Sequence, residues 1–192
     1  MKRLTPQSVI AAGFVGSVLL LAGCGAAVPR SRAPSEGVLR RALAGSPPAL
    51  ARLHIQANRL LPGGVAAFKH ALGAVRGYPV VVNVWASWCG PCRAEFPIFQ
   101  AEAARVGRRI AFLGVDTLDN TADARKFLAQ YPVSYPSLED RGGDIARAAG
   151  AAVGVPVTIF YGPGGDRRFV HVGAYPSQPQ LDRDIHRHAR AS

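Results

Sequence analysis

Residues 80–92 read VVVNVWASWCGPC, and this segment is the most informative part of the chain about its fold. Its first part, Val80 to Trp85, is dominated by β-branched residues and looks apolar on both faces, which is typical of a central strand covered on both sides. Residues 93–106 read as a helix. Cys89 and Cys92 therefore lie where a buried strand is followed by a helix.

The two cysteines have the spacing of a redox pair. Cysteines at i and i+3 in a first helical turn can reach disulfide geometry. The unpaired N–H groups and positive dipole end of a helix N-terminus stabilise a thiolate and lower the pKa of the thiol. We expect Cys89 to be the exposed nucleophile. Cys92, one turn in, is expected to be the buried resolving thiol in thiol–disulfide exchange.

Two other interpretations of the pair stay open. A CxxC can be half of a zinc site, although this chain has no second CxxC and no histidine at ligand spacing. The pair could also be structural without redox activity. The strand-to-helix setting favours the redox interpretation, so we expect neither a metal nor a cofactor.

The rest of the chain alternates between helical and strand patterns. This order predicts an α/β sheet with an antiparallel edge. The predicted helices are Val65–Val75, Thr121–Gln130 with Asn120 as its cap, a short one reaching Ala149 with Asp144 as its cap, and Gln180–Ala189; the predicted strands include Arg109–Val115, Val157–Tyr161 and Arg168–Val172.

The N-terminus has the features of an export signal. Two basic residues precede an uncharged stretch from Val9 to Ala22, and Leu21–Cys24 resembles the bacterial lipobox, in which the cysteine is lipidated and becomes the mature N-terminus. An uncleaved anchor with Cys24 as a bystander is the alternative. We expect residues 1–23 to be a lipoprotein signal peptide, 24–52 a flexible tether, and 53–192 the folded domain. The domain would then be extracytoplasmic and lipid-anchored to the cell membrane.

The composition is that of a globular protein with excess positive charge. Hydrophobic residues make up 48% of the 192, and the formal net charge is +11. No basic stripe with aromatics and no zinc-finger, RNP or helix-turn-helix signature is present, so we expect no nucleic-acid partner. Compositional bias or weak attraction to a membrane explains the charge better.

Three segments, in the same order along the chain, resemble one protein family. Residues 82–97 (VNVWASWCGPCRAEFP) resemble the active-site segment of the thioredoxin superfamily and, more narrowly, of the membrane-tethered TlpA/ResA-like group. Residues 154–160 resemble its cis-proline loop, and 169–173 its terminal hairpin. The resemblance implies a three-layer fold: a central mixed sheet with helices on both faces and an inserted helix. The long segment 116–150 would supply that helix, with Tyr135–Leu138 as the strand after it.

The resemblance also implies a substrate groove. Pro156 would be the cis-proline facing the cysteines, and Val155 would offer its backbone to an extended peptide. Trp88 would form a wall of the groove, beside Gly90 and Pro91 between the cysteines. Trp85 is expected in the core.

Glu95 has two interpretations. Cytoplasmic thioredoxins carry a buried Asp six residues before the first cysteine, where this chain has Asn83. ResA-like proteins carry a Glu at the position of Glu95, which shares a helix face with Cys92. Glu95 could relay protons for the cysteines, or be an ordinary solvated glutamate.

The predicted function is an extracytoplasmic thiol–disulfide oxidoreductase that reduces protein disulfides, with the CxxCH thiols of apocytochrome c as a substrate that the resemblance suggests. Its partners would be such protein substrates and a membrane redox protein that recycles the cysteines. An oxidant that introduces disulfides into exported proteins is the alternative, because the same residues serve both directions. A non-enzymatic copper-binding or chaperone module is a third.

Overall fold

The sheet is built around a strand that is buried along its whole length. The computed structural model describes residues 35–189. Its six strands are β1 (Leu60–Leu61), β2 (Val80–Trp85), β3 (Ala111–Thr117), β4 (Ser137–Asp140), β5 (Val157–Tyr161) and β6 (Arg167–Val172). They lie in the order β1-β4-β3-β2-β5-β6. β2 pairs in parallel with β3 and antiparallel with β5, so the sheet is mixed and its β5–β6 edge is antiparallel, as predicted.

Helices cover both faces of this sheet. They are α1 (Glu36–Leu43), α2 (Pro48–Ile55), α3 (Val65–Ala74), α4 (Gly90–Val106), α5 (Thr121–Gln130), α6 (Asp144–Ala149) and α7 (Gln178–Asp184), followed by a π-helical turn at Ile185–Ala189. Alternate residues of β2 enter two separate apolar clusters. Val81 and Trp85 pack with α4, α5 and α7, whereas Val82 and Val84 pack with α2, α3 and α6. The predicted three-layer thioredoxin-like fold is confirmed.

The segment after β3 contributes a strand as well as a helix. α5 follows β3, and β4 then pairs in parallel with both β3 and β1. The strand begins at Ser137, two residues later than predicted. Tyr135 is buried and stacks on Phe112 instead, with ring centroids 5.8 Å apart.

The folded part begins earlier than the sequence predicted. α1 lies within 24–52, which was expected to be a flexible tether, and α2 begins there at Pro48. Leu50 is fully buried in the cluster that contains Phe68. The prolines that suggested a linker instead start a helix, because Pro48 takes the first helical position, where the missing N–H costs nothing. The predicted signal peptide and Cys24 lie outside the described residues.

The predicted helix caps were partly right. The Asn120 side chain accepts a hydrogen bond from the Asp123 N–H at 2.9 Å, which confirms it as the cap of α5. Asp144 does not cap α6. The Asp140 carboxylate accepts from the N–H groups of Ile145 and Ala146, both at 2.9 Å, because β4 ends directly beside the start of this helix.

Two further features complete the fold. The last helix begins at Gln178, two residues earlier than predicted. Among residues 35–189, no helix is both long enough and apolar enough to span a bilayer.

Candidate active site

The two cysteines form a disulfide at the start of α4. Cys89 is the N-cap residue, and its Sγ accepts a hydrogen bond from the Cys92 N–H at 3.1 Å. The S–S distance is 1.98 Å, and the Cα atoms lie 5.3 Å apart. Pro91 occupies the first turn, where the helix has no partner for an N–H group, so the proline removes no helical hydrogen bond.

The two sulfurs differ in burial, but by less than expected. Cys92 is fully buried, as predicted, while Cys89 is 4% exposed rather than openly accessible. Cys89 belongs to the same apolar cluster as Trp85 and Phe96, which explains why it is buried. It is still the more accessible cysteine of the pair. That Cys89 attacks and Cys92 resolves stays a prediction.

The two tryptophans near the disulfide occupy opposite environments. Trp85 is fully buried, stacks on Phe127 with centroids 4.9 Å apart, and donates from Nε1 to the Ser137 Oγ at 3.2 Å. Trp88 is 60% exposed, and its Nε1 donates to the Leu118 carbonyl at 3.1 Å. Trp85 is therefore a core residue, and Trp88 stands at the surface beside Cys89, as predicted.

A cleft lies beside Trp88. The Val155–Pro156 peptide bond is cis, as the sequence predicted, and Pro156 is buried. The cleft has a volume of about 170 Å³, and its walls include Trp88, Leu118, Ala146, Arg147, Gly154 and Val155. The structure thus brings Trp88 and Val155 together. Gly90 and Pro91 are exposed on the turn between the cysteines and do not line this cleft.

Glu95 is fully buried one turn after Cys92, so the interpretation as a solvated glutamate is wrong. Its Oε1 accepts from Asn83 Nδ2 at 2.8 Å, and its Oε2 accepts from the Tyr175 N–H at 3.1 Å. Burial raises the pKa of Glu95 to about 7, although the two hydrogen bonds favour the charged form. A buried carboxyl group with a raised pKa therefore lies one helical turn from Cys92.

Two unpaired polar groups lie on the same face as Glu95. The Asn83 Oδ1 and the Tyr135 hydroxyl are buried without a hydrogen-bond partner. Burial raises the pKa of Tyr135 well above its usual range, and the nearby Glu95 charge raises it further. Tyr135 therefore stays protonated.

Sequence reasoning missed Asp119, whose carboxylate accepts from the Ser87 N–H and hydroxyl just before Trp88. It also missed Leu118 and Arg147 as walls of the cleft. These residues are distant from the cysteines in sequence. The signal that could have found Asp119 is the parallel pairing of β2 with β3, which places the loops after both strands at one edge of the sheet.

Metal ligands do not gather here. Across residues 35–189, no three His, Cys, Asp or Glu side chains are arranged to hold a metal ion.

The comparisons with known proteins agree with this geometry. Residues 64–168, more than half of the chain, match the AhpC/TSA family. The chain belongs to the AhpC/TSA family. Within it, the chain is 34% identical over 100 residues to the thiol:disulfide interchange protein DsbE of Pseudomonas fluorescens biotype C, covering 52% of this chain and 54% of that protein. It is 30% identical over 106 residues to the thiol-disulfide oxidoreductase ResA of Oceanobacillus iheyensis, covering 54% of each.

A solved structure supports the fold of this AhpC/TSA member. A secreted Mycobacterium tuberculosis disulfide oxidoreductase homologous to E. coli DsbE superposes with a TM-score of 0.54 at 26% identity, covering 60% of this chain and 85% of that one. The matches span about half the length of the DsbE and ResA relatives. The resemblance to the ResA-like group, inferred from residues 82–97, is confirmed.

Proposed function

We propose that this chain is a thiol–disulfide oxidoreductase in which Cys89 attacks and Cys92 resolves. The observation that carries the proposal is the Cys89–Cys92 disulfide at the N-terminus of α4, close to a cleft bounded by Trp88 and the Val155–Pro156 loop. The names of the DsbE and ResA relatives support the same chemistry.

In the reducing direction, the reduced chain begins as a Cys89 thiolate and a Cys92 thiol. The thiolate attacks one sulfur of a substrate disulfide, forms a mixed disulfide and releases a substrate thiolate, which takes up a proton. Cys92 then loses its proton and attacks Cys89 Sγ, which expels the second substrate thiolate. Two electrons pass to the substrate, whose two thiolates take up protons from solvent, while the chain releases the Cys92 proton and the Cys89–Cys92 disulfide results.

Glu95 is the proposed acceptor of the Cys92 proton. It follows Cys92 by one helical turn, and its raised pKa allows it to take and return a proton near neutral pH. Replacing Glu95 by Gln keeps the shape but removes the proton site. We therefore expect slower release of the mixed disulfide, measured by stopped-flow mixing with a peptide disulfide.

The direction is proposed to be reduction of protein disulfides, with apocytochrome c CxxCH thiols as a candidate product. The Gly90–Pro91 dipeptide between the cysteines resembles that of reducing thioredoxins. The test is the reduction potential of the Cys89–Cys92 pair, equilibrated against glutathione or dithiothreitol. A potential of about −270 mV, as in thioredoxin, supports a reductant. A potential of about −120 mV, as in DsbA, would show that the chain is an oxidant.

The proposed location is outside the cell membrane, held there by a lipid on Cys24. This rests on the lipobox-like Leu21–Cys24 sequence and the signal-like residues before it. Residues 1–23 would be removed, and the tether would end before α1. A membrane redox protein would then recycle the cysteines. Mass spectrometry of the membrane-extracted protein should show a diacylglycerol on Cys24, and Cys24→Ser should move the protein out of the membrane fraction.

A further inference from the structure

Two loops at the cleft are joined by three hydrogen bonds. Asp119 accepts from the Ser87 N–H at 2.5 Å through Oδ2 and from the Ser87 hydroxyl at 3.0 Å through Oδ1. The third bond runs from Trp88 Nε1 to the Leu118 carbonyl at 3.1 Å. The residues just before Cys89 are therefore held by the loop that follows β3.

The Asp119 loop has its own constraints. Asp119 Oδ1 also accepts from the Asn120 N–H at 2.7 Å. Leu118 has a φ of 52°, in the left-handed region, which is unfavourable for a non-glycine residue unless its surroundings stabilise it. Its side chain is 60% exposed and lines the same cleft as Trp88. The loop is thus held in one conformation that supports the cleft.

A second carboxyl group lies beneath Asp119. Asp116, at the end of β3, is 3% exposed and within hydrogen-bonding reach of Asp119. Its Oδ1 has no donor partner. The charged groups that act on it are all acidic, namely Asp119, Glu139 and Asp140, and Arg141 lies 3.9 Å from the Glu139 carboxylate.

We propose that Asp119 is a positioning residue for thiol–disulfide exchange: its carboxylate fixes Ser87 and thereby holds Trp88 as the wall of the substrate cleft. The proposal rests on the function proposed above and adds a residue to its machinery. Asp119 touches neither sulfur. It acts through the Ser87–Trp88 segment.

The position of Asp116 makes this support depend on pH. Burial raises the pKa of Asp116 to about 8, and the negative charge of Asp119 contributes to the rise. Below that pH, Asp116 keeps its proton and can donate it to the Asp119 carboxylate. Above it, the buried Asp116 carboxylate would face the half-buried Asp119 carboxylate, and their repulsion weakens the hold of Asp119 on Ser87.

The kinetic test compares Asp119→Ala, Asp119→Asn and Trp88→Ala in the full chain. The probe is a synthetic peptide with one internal disulfide, and dithiothreitol recycles the cysteines. Asp119→Ala, which removes both hydrogen bonds from Ser87, should raise KM about tenfold or more, with kcat changed less. Asp119→Asn should restore part of the loss, because its amide oxygen can still accept from Ser87.

The double variant shows whether Asp119 affects KM through Trp88 or independently of it. If Asp119 acts only through Trp88, Asp119→Ala combined with Trp88→Ala should have the KM of Trp88→Ala alone. Additive effects, or an unchanged KM in Asp119→Ala, would overturn the proposal. Asp166→Ala, which removes an exposed carboxylate on the β5–β6 hairpin, is the matched control.

The spectroscopic test does not depend on activity. The chain has two tryptophans, so labelling with 5-fluorotryptophan gives two ¹⁹F resonances. In the oxidised protein, where Cys89 and Cys92 do not titrate, the Trp88 resonance should shift with a midpoint near pH 8. Asp116→Asn should abolish this shift. Glu95, a buried carboxyl group whose pKa is also raised, is present in both proteins and contributes equally.

The outcomes separate the two proposals. A Trp88 resonance with no titration near pH 8, or one unaffected by Asp116→Asn, would refute the pH-dependent part of the inference. Wild-type protein that does not reduce the peptide would refute the proposed function, while the ¹⁹F titration would still report whether the ionisation of Asp116 reaches Trp88.

Discussion

Replacing Glu95 by Gln should remove a large part of the pH dependence of stability. Glu95 is fully buried, and its pKa rises from 4.5 to about 7, mainly through burial. A raised folded pKa means that the native state keeps its proton at pH values where the unfolded state has lost it. The contribution of Glu95 is therefore favourable below about pH 4.5 and is lost as the pH rises through about 7.

The magnitude follows from the size of this pKa change. A rise from 4.5 to about 7 corresponds to about 3 kcal/mol of free energy of unfolding. The substituted glutamine side chain should fit the site at low pH. Its amide oxygen can accept from the Tyr175 N–H, and its NH₂ group can donate to the Asn83 Oδ1, which has no partner at present, after a rotation of the Asn83 amide.

The measurement is urea unfolding of the oxidised full chain, wild type and Glu95→Gln, at a series of pH values. The difference in unfolding free energy between the two proteins cancels the groups that they share. Relative to wild type, the unfolding free energy of Glu95→Gln should increase by about 3 kcal/mol between about pH 4 and about pH 8. A difference that stays level across this range would show that Glu95 does not titrate with a raised pKa, and the proton-relay role would lose its basis.

Three further predictions test the fold around the site by the same unfolding assay. Leu50→Ala should lower the free energy of unfolding by about 2–5 kcal/mol, because Leu50 is fully buried. Ile55→Ala in the same helix should lower it little, because Ile55 is 79% exposed. Equal losses in the two variants would show that α2 does not pack on the core. Asn120→Ala should cost about 1 kcal/mol through loss of the α5 cap, and no loss would contradict the assigned cap. Gly114→Ala should destabilise by about 1–3 kcal/mol, because a Cβ there would overlap the Ser137 Oγ; wild-type stability would contradict this packing of β3 on β4.

Local patterns were enough to place the redox pair. The β-branched run of β2 and the CxxC after it predicted a buried strand, a helix start and a disulfide, because each depends on neighbours in sequence. The same holds for Asn120 as a cap. Pro156 was found through its resemblance to a family loop, and its peptide bond is indeed cis.

Features that depend on distant parts of the chain were not predicted. The composition of residues 24–52 suggested a tether because prolines are common in linkers. Instead, the burial of Leu50 in the cluster that contains Phe68 holds α2 against the folded domain. The burial of Glu95 depends on Asn83 from β2 and the backbone of Tyr175, which the helix pattern alone does not show. Asp119 was missed because its partner, Ser87, is reached only once the sheet is assembled.

The central claim is that Cys89 is the attacking thiol and Cys92 the resolving one. Its most direct test is trapping of the mixed disulfide. Cys89→Ser and Cys92→Ser, each in the full chain with Cys24→Ser so that no third thiol competes, are mixed with an excess of a peptide disulfide and analysed by intact mass spectrometry. Cys92→Ser should accumulate a peptide adduct on Cys89, whereas Cys89→Ser should form almost none, since Cys92 is fully buried. An adduct on Cys92 forming at an equal or faster rate, or no adduct in either variant, would contradict the account.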